Sequence, residues 1–92
     1  MVYIMGKWEV VFTRKAAKQA RNLREAVFLT LQLLTDDLGN KGPAPGQYWH
    51  NYSKHCHLLK GNPTYVCCWK VLDKQNKIIE VYYVGKHGKA PY

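Results

Sequence analysis

The sequence predicts an α+β fold of order β-α-α-β-β-β, with a helical hairpin packed on one face of an antiparallel sheet. Two observations predict it. The hydrophobic pattern begins with period 2, changes to period 3.6 and returns to period 2. The later strands are short and joined by turn segments, Gly61-Asn62-Pro63 and Asp73-Lys74-Gln75-Asn76-Lys77, as in an antiparallel meander. Ninety-two residues make one domain, 1–92, with no room for a second core.

Residues 1 to 7 read as a short leader ending in Gly6-Lys7. Trp8-Glu9-Val10-Val11-Phe12 alternates, with Trp8, Val10 and Phe12 on one face, and is the first strand. Thr13 is a candidate N-cap for a short basic helix, Arg14 to Arg21, whose Ala16, Ala17 and Ala20 form a small-residue face. Asn22-Leu23-Arg24-Glu25 has the form of a capping box that opens a longer helix running to about Leu38. Leu23, Val27, Leu31, Leu34 and Leu38 fall at helical spacing; Ala26, Phe28, Leu29 and Leu33 are expected to widen that buried stripe. Gly39-Asn40 is the expected stop.

Lys41 to Tyr52 is a loop dense in breakers, Gly42-Pro43-Ala44-Pro45-Gly46. Trp49 and Tyr52 at its end are expected to cover the edge of the core rather than stack on bases. The next strand lies within Lys54 to Lys60; there His55, His57 and Leu59 face one way and Cys56 and Leu58 the other. Thr64 to Leu72 is the third strand. Ile78-Ile79-Glu80-Val81-Tyr82-Tyr83-Val84, β-branched and aromatic, is the last and ends at Gly85. Lys86-His87-Gly88-Lys89-Ala90-Pro91-Tyr92 follows it. A buried strand feeding a basic, histidine-bearing tail places reactive groups at the end of a rigid element.

The composition narrows the function classes. The net charge is +8, from 14 Lys and Arg against 6 Asp and Glu, which points to an anionic partner. Nucleic acid comes first, because the cations of the second half lie among aromatics and histidines. No run is apolar enough for a membrane span, and the first residues lack a signal-peptide pattern. Three cysteines, 56, 67 and 68, make a poor disulfide framework and suit a reducing, cytoplasmic setting. Phosphate-cradling glycine loops, Gly-x-Ser-x-Gly and paired catalytic carboxylates are missing.

His55, His57 and His87 lie in or beside predicted strands of the meander. Histidines can exchange protons near neutral pH, and two of them among lysines suit cleavage of an RNA phosphodiester without metal. Zinc is disfavoured: the thiol of His55-Cys56-His57 points away from its imidazoles, and no paired Cys-x-x-Cys exists. The residues alone leave catalysis level with partly buried, hydrogen-bonded structural histidines.

The element order, the opening Trp8-Glu9-Val10-Val11-Phe12 with its basic helix, and the closing Val84-Gly85-Lys86-His87…Tyr92 resemble the RelE/ParE superfamily of toxin–antitoxin toxins. The resemblance runs from about residue 7 to 92, and the closing motif is its most specific part. It implies a metal-independent endoribonuclease, without cofactor, that cuts mRNA in the A site of the ribosomal 30S subunit and is silenced by an acidic antitoxin. His55 and His57 fall where the RelE branch carries basic residues at i and i+2 of the second strand. His87 matches the arginine or histidine after the last strand, and Tyr92 the terminal aromatic that orients substrate. His57-Leu58-Leu59-Lys60-Gly61 is similar to the His-x-x-x-Gly of YafQ-like toxins. Catalysis is thus assigned to His55, His57, His87 and Tyr92, and RNA contact to Lys54, Lys60, Lys70, Lys86 and Lys89. The sequence departs from the pattern at Val66, where many members carry an arginine that stabilises the scissile phosphate. That role is absent here or taken by Lys54, Lys60 or Lys70. A gyrase-inhibiting ParE-like toxin and a non-catalytic binding protein of the same fold are the alternative readings.

Overall fold

The computed structural model describes residues 2–5, 7–45, 49, 55–59 and 63–91. Its elements are β1 (Val2–Met5), β2 (Trp8–Phe12), α1 (Arg14–Arg21), α2 (Glu25–Lys41), β3 (His55–Leu59), β4 (Tyr65–Asp73) and β5 (Ile78–Lys86), followed by a 3₁₀ turn, His87–Lys89. The strands form one sheet of order β1-β2-β5-β4-β3.

The predicted fold class and the order of its six elements are present, with two differences. The leader forms β1, which pairs antiparallel with β2 (Met5 with Trp8, Val2 with Val11). The sheet is mixed rather than wholly antiparallel, because β2 lies parallel to β5 from Glu9/Ile78 to Phe12/Val81. Strand alternation cannot reveal this, since direction leaves the period unchanged. The meander β3-β4-β5 is antiparallel as expected.

Both helices pack on one face of the sheet. Ala16 and Ala20 of α1 and Val27, Leu31, Leu34 and Leu38 of α2 bury against Val10, Phe12, Cys56, Leu58, Cys67, Trp69, Ile79, Val81 and Val84. Thr13 caps α1, its hydroxyl accepting from the Ala16 N–H at 3.0 Å, a contact worth about 1 kcal/mol. The predicted capping box is absent. Asn22 is the C-cap of α1, and Arg24 opens α2 without a side-chain cap. The tight turn between the helices takes the residue that a longer linker would have left for capping.

Helix α2 also runs past Gly39-Asn40 to Lys41. Gly39 is buried inside the helix, and its carbonyl accepts from Lys7 N–H at 3.0 Å. The stop is Gly42, whose φ of 90° favours glycine; a Cβ there would lie 2.9 Å from the Trp8 indole nitrogen. The stripe is narrower than predicted. Leu29 and Leu33 are 51% and 54% exposed, Ala26 is exposed and Phe28 half-buried. Trp49 belongs to the core, as expected, with its Nε1 donating to Asp37 Oδ2 at 2.8 Å. Tyr52 lies outside the described residues.

Candidate functional site: a histidine groove beside the end of the central strand

The face of the sheet opposite the helices carries the histidines. In β3, Cys56 and Leu58 are buried toward the helices, while His55 and His57 are half-buried on the other side. Register then builds two rows across the meander. His57 pairs with Val66, and Val66 with Gly85; His55 pairs with Cys68, and Cys68 with Tyr83. Val66, Cys68 and Tyr83 form a small buried apolar cluster, and Ala90 of the tail packs back onto it. The histidines therefore stand on a dry floor.

Strand β5 continues to Lys86, beyond the predicted end at Gly85. Past Val81 it has lost β2 as a neighbour, yet its backbone remains partnered there. Thr13 N–H donates to the Val81 carbonyl at 3.0 Å, and the Gln19 side-chain oxygen of α1 accepts from Val84 N–H at 3.0 Å. Tyr83 Oη donates to the Lys86 carbonyl at 2.7 Å. His87 N–H donates to the Thr64 carbonyl at 2.8 Å. These bonds fix the backbone from which the His87 side chain leaves.

Gly85 is required by close approach. A Cβ there would meet the Tyr83 hydroxyl at 2.8 Å. His87 meets His57 edge to face, with ring centroids 5.7 Å apart and planes at 80°. His57, Pro63, Thr64, Lys86, His87, Gly88 and Lys89 line an open groove of about 570 Å³.

The electrostatics favour anions. His87, Lys86 and Lys89 are exposed around the groove. The His55 pKa is lowered from the ordinary histidine value, first by burial and then by the charge of His87, so this imidazole favours its neutral, proton-accepting form. The Nδ1 atom of His57 is shielded from solvent. Burial pushes the Cys56 thiol up to about 12 and Cys68 to about 11, and raises Cys67 well above its usual value. All three are free thiols and none is a poised nucleophile. Among the described residues, no group of three His, Cys, Asp or Glu side chains gathers to hold a metal.

Of the predicted site residues, the structure brings together His57, His87, Lys86 and Lys89, with His55 in the adjacent row. Lys70 lies elsewhere. It is four residues along β4 from Val66, roughly 13 Å at strand rise, with its Nζ 3.6 Å from Glu80. Lys54, Lys60 and Tyr92 lie outside the described residues. Val66, at the position where an arginine was expected, is fully buried in the floor beneath the groove. The sequence reading missed Thr64 and Gln19. Gln19 carried a signal, being a polar residue beside the alanine face of α1.

No known family profile matches the chain, and no curated protein matches it. Among solved structures, a chain of the archaeal RelE–RelB complex from Pyrococcus horikoshii OT3 is similar. The alignment covers 91% of this chain and 99% of that one, at TM-score 0.62 and 15% identity. The chain has the RelE-like fold. At that identity the likeness concerns the fold. Among the described residues, no helix of this RelE-like chain is long and apolar enough to cross a membrane.

Proposed function

We propose that this RelE-like protein is the toxin of a toxin–antitoxin pair and a metal-independent endoribonuclease that cuts mRNA at the ribosome. The observation that carries the reading is the contact of His57 and His87 over one cationic groove. The two rings touch, so a phosphate does not slot between them. It lies in the groove that both line.

His57, with His55 as the alternative, takes the proton of the ribose 2′-hydroxyl. That oxygen attacks the adjacent phosphorus, and negative charge builds on the phosphoryl oxygens. Lys86 and Lys89 offset this charge. His87 gives its proton to the departing 5′-oxygen. The products carry a 2′,3′-cyclic phosphate and a 5′-hydroxyl, and the proton lost by the 2′-oxygen balances the one gained by the 5′-oxygen. Tyr92 stacks on or orients a base.

The similar archaeal protein was crystallised in a RelE–RelB complex. By analogy, an antitoxin silences this chain, and the +8 charge suits an acidic one. Expression in cells with mapping of mRNA 5′ ends tests the proposal. New cleavage ends and arrested translation are expected, both lost in His87→Ala. Normal growth with unchanged mRNA ends would contradict it.

A further inference from the structure

Strand β5 breaks its alternation beside the histidines. Cys68 pairs with Tyr83, and the next residue of β4, Trp69, pairs with Val81, so Tyr82 is an extra residue in the ladder, a β-bulge. Its effect shows in the burial. Val81 and Val84 both lie in the core beneath the helices, although strict alternation puts residues three apart on opposite faces. The two tyrosines between them share the other face. Tyr83 is buried with Val66 and Cys68, and Tyr82 packs half-buried against that cluster. Among the described residues the Tyr82 hydroxyl has no hydrogen-bond partner, whereas that of Tyr83 donates to the Lys86 carbonyl. Burial, and then the neighbouring Cys68 and Cys67 thiols, raise the Tyr82 pKa, so its ring stays neutral.

This is the face that carries the histidines. The row of His55, Cys68 and Tyr83 runs beside Tyr82. Three residues along β5 from Tyr82, roughly 10 Å at strand rise, Gly85 joins the row of Val66 and His57 at the cationic groove. On the other side of Tyr82, Lys70 stands across from Glu80 and is 53% exposed. The tyrosine thus lies between Lys86 and Lys89 at one end and Lys70 at the other. We propose that Tyr82 is a platform on which a base of the single-stranded RNA stacks, a few nucleotides from the bond that His57 and His87 cut. The nature of the strand rests on the ribonuclease reading. Surfaces that hold single strands combine cations for the phosphates with aromatic rings for the bases, and every base has a π-face to offer. A duplex keeps its bases stacked on one another. The carboxylates of an acidic peptide would answer the cations but leave the ring without a flat partner. Bulges beside functional sites re-aim a side chain, and this one presents a ring that is held by an apolar cluster yet partly open to solvent.

The probe is a short single-stranded oligomer of 2′-O-methyl RNA, which lacks the attacking hydroxyl and cannot be cut. Its affinity is measured by fluorescence anisotropy for wild type, Tyr82→Phe and Tyr82→Ala. Tyr82→Ala is expected to bind on the order of 10-fold more weakly, and Tyr82→Phe within a few-fold of wild type, because the ring is kept. A second arm needs no variant. The same oligomer carrying 5-iodouridine is irradiated on wild-type protein, and mass spectrometry of the digest should find the crosslink on Tyr82. This arm decides the matter even if Tyr82→Ala fails to fold. Equal affinity of all three proteins, a Tyr82→Phe variant as weak as Tyr82→Ala, no binding of the oligomer by wild type, or crosslinks on other residues alone would each overturn the proposal. RNA cleavage is assayed separately with unmodified RNA. If wild type cuts no RNA but the crosslink lands on Tyr82, the ribonuclease reading fails and the platform stands; if wild type cuts RNA and the crosslink avoids Tyr82, the platform alone fails.

Discussion

His57 and His87 make edge-to-face contact, with ring centroids 5.7 Å apart, although β4 lies between β3, which carries His57, and β5, which leads into His87. Two strand spacings amount to roughly 9.6 Å. The gap closes because His87 does not sit in β5. It opens a 3₁₀ turn just beyond it, held by the bond from its N–H to the Thr64 carbonyl.

This contact makes the pair interdependent. His57→Ala and His87→Ala should each lower RNA cleavage about 10²–10⁴-fold, while affinity for RNA or ribosomes changes little. The double variant should lose little more than either single one, as expected for groups that act as a unit. Single-turnover rates with the three variants check this.

Gly85 and Tyr83 should matter without touching substrate. Gly85→Ala pushes a methyl group onto the Tyr83 hydroxyl and disturbs its bond to the Lys86 carbonyl. Cleavage should fall at least tenfold, with RNA affinity retained. Tyr83→Phe removes the same bond without a clash and should cost about 1 kcal/mol of stability, with a milder loss of rate. Thermal melts run beside rate measurements separate the two effects.

The pH dependence of stability follows from His55. Its pKa is lowered in the fold by burial and by His87, so the unfolded chain binds its proton more readily. Below about pH 6.5 the unfolded state takes up more protons, and stability falls as pH drops through the ordinary histidine range. Toward pH 8 this loss vanishes. Tm measured from pH 8 to 5 should decline, less steeply in His87→Gln and least in His55→Gln. Asp73 acts in a separate window. Bonds from Asn76 hold its carboxyl below its usual value, so its contribution is lost only at lower pH, as the carboxylate is protonated.

The buried thiols should be inert. With Cys56 near 12, Cys68 near 11 and Cys67 raised, the native protein should resist iodoacetamide at pH 7.5. All three should react in denaturant. Mass spectrometry of the alkylated protein counts them.

Much of the fold was legible because local rules and tertiary packing agreed. Strand β2, helix α1 and the Thr13 cap lie where alternation, alanine spacing and capping chemistry put them. The errors share a cause. Gly39 signals a stop only in a solvated helix end, and here it is buried within α2. Leu29 and Leu33 look like core on hydrophobicity alone, but the single sheet face beneath α2 has room for only one stripe. The parallel β2–β5 pairing is a long-range choice that leaves no local trace. At the candidate site, the strand register followed from the meander, so His57 and His87 could be placed near each other. Their contact depends on the turn after Lys86 and on its bond to Thr64, neither of which the strand pattern encodes. The loss of the expected arginine was visible in the sequence; that Val66 becomes the buried floor was not.

The most direct test of the central claim is the chemistry of the cut ends. Purified protein, supplied with mRNA-programmed ribosomes in one arm and RNA alone in the other, would be assayed with the metal dependence of cleavage measured separately on the RNA arm in EDTA. The account predicts fragments ending in 2′,3′-cyclic phosphate and 5′-hydroxyl, cleavage of RNA that survives EDTA wherever RNA alone is cut, and loss of cutting in His87→Ala. Fragments with 5′-phosphate ends, a requirement for divalent metal in the cleavage step, or a His87→Ala variant as fast as wild type would contradict it.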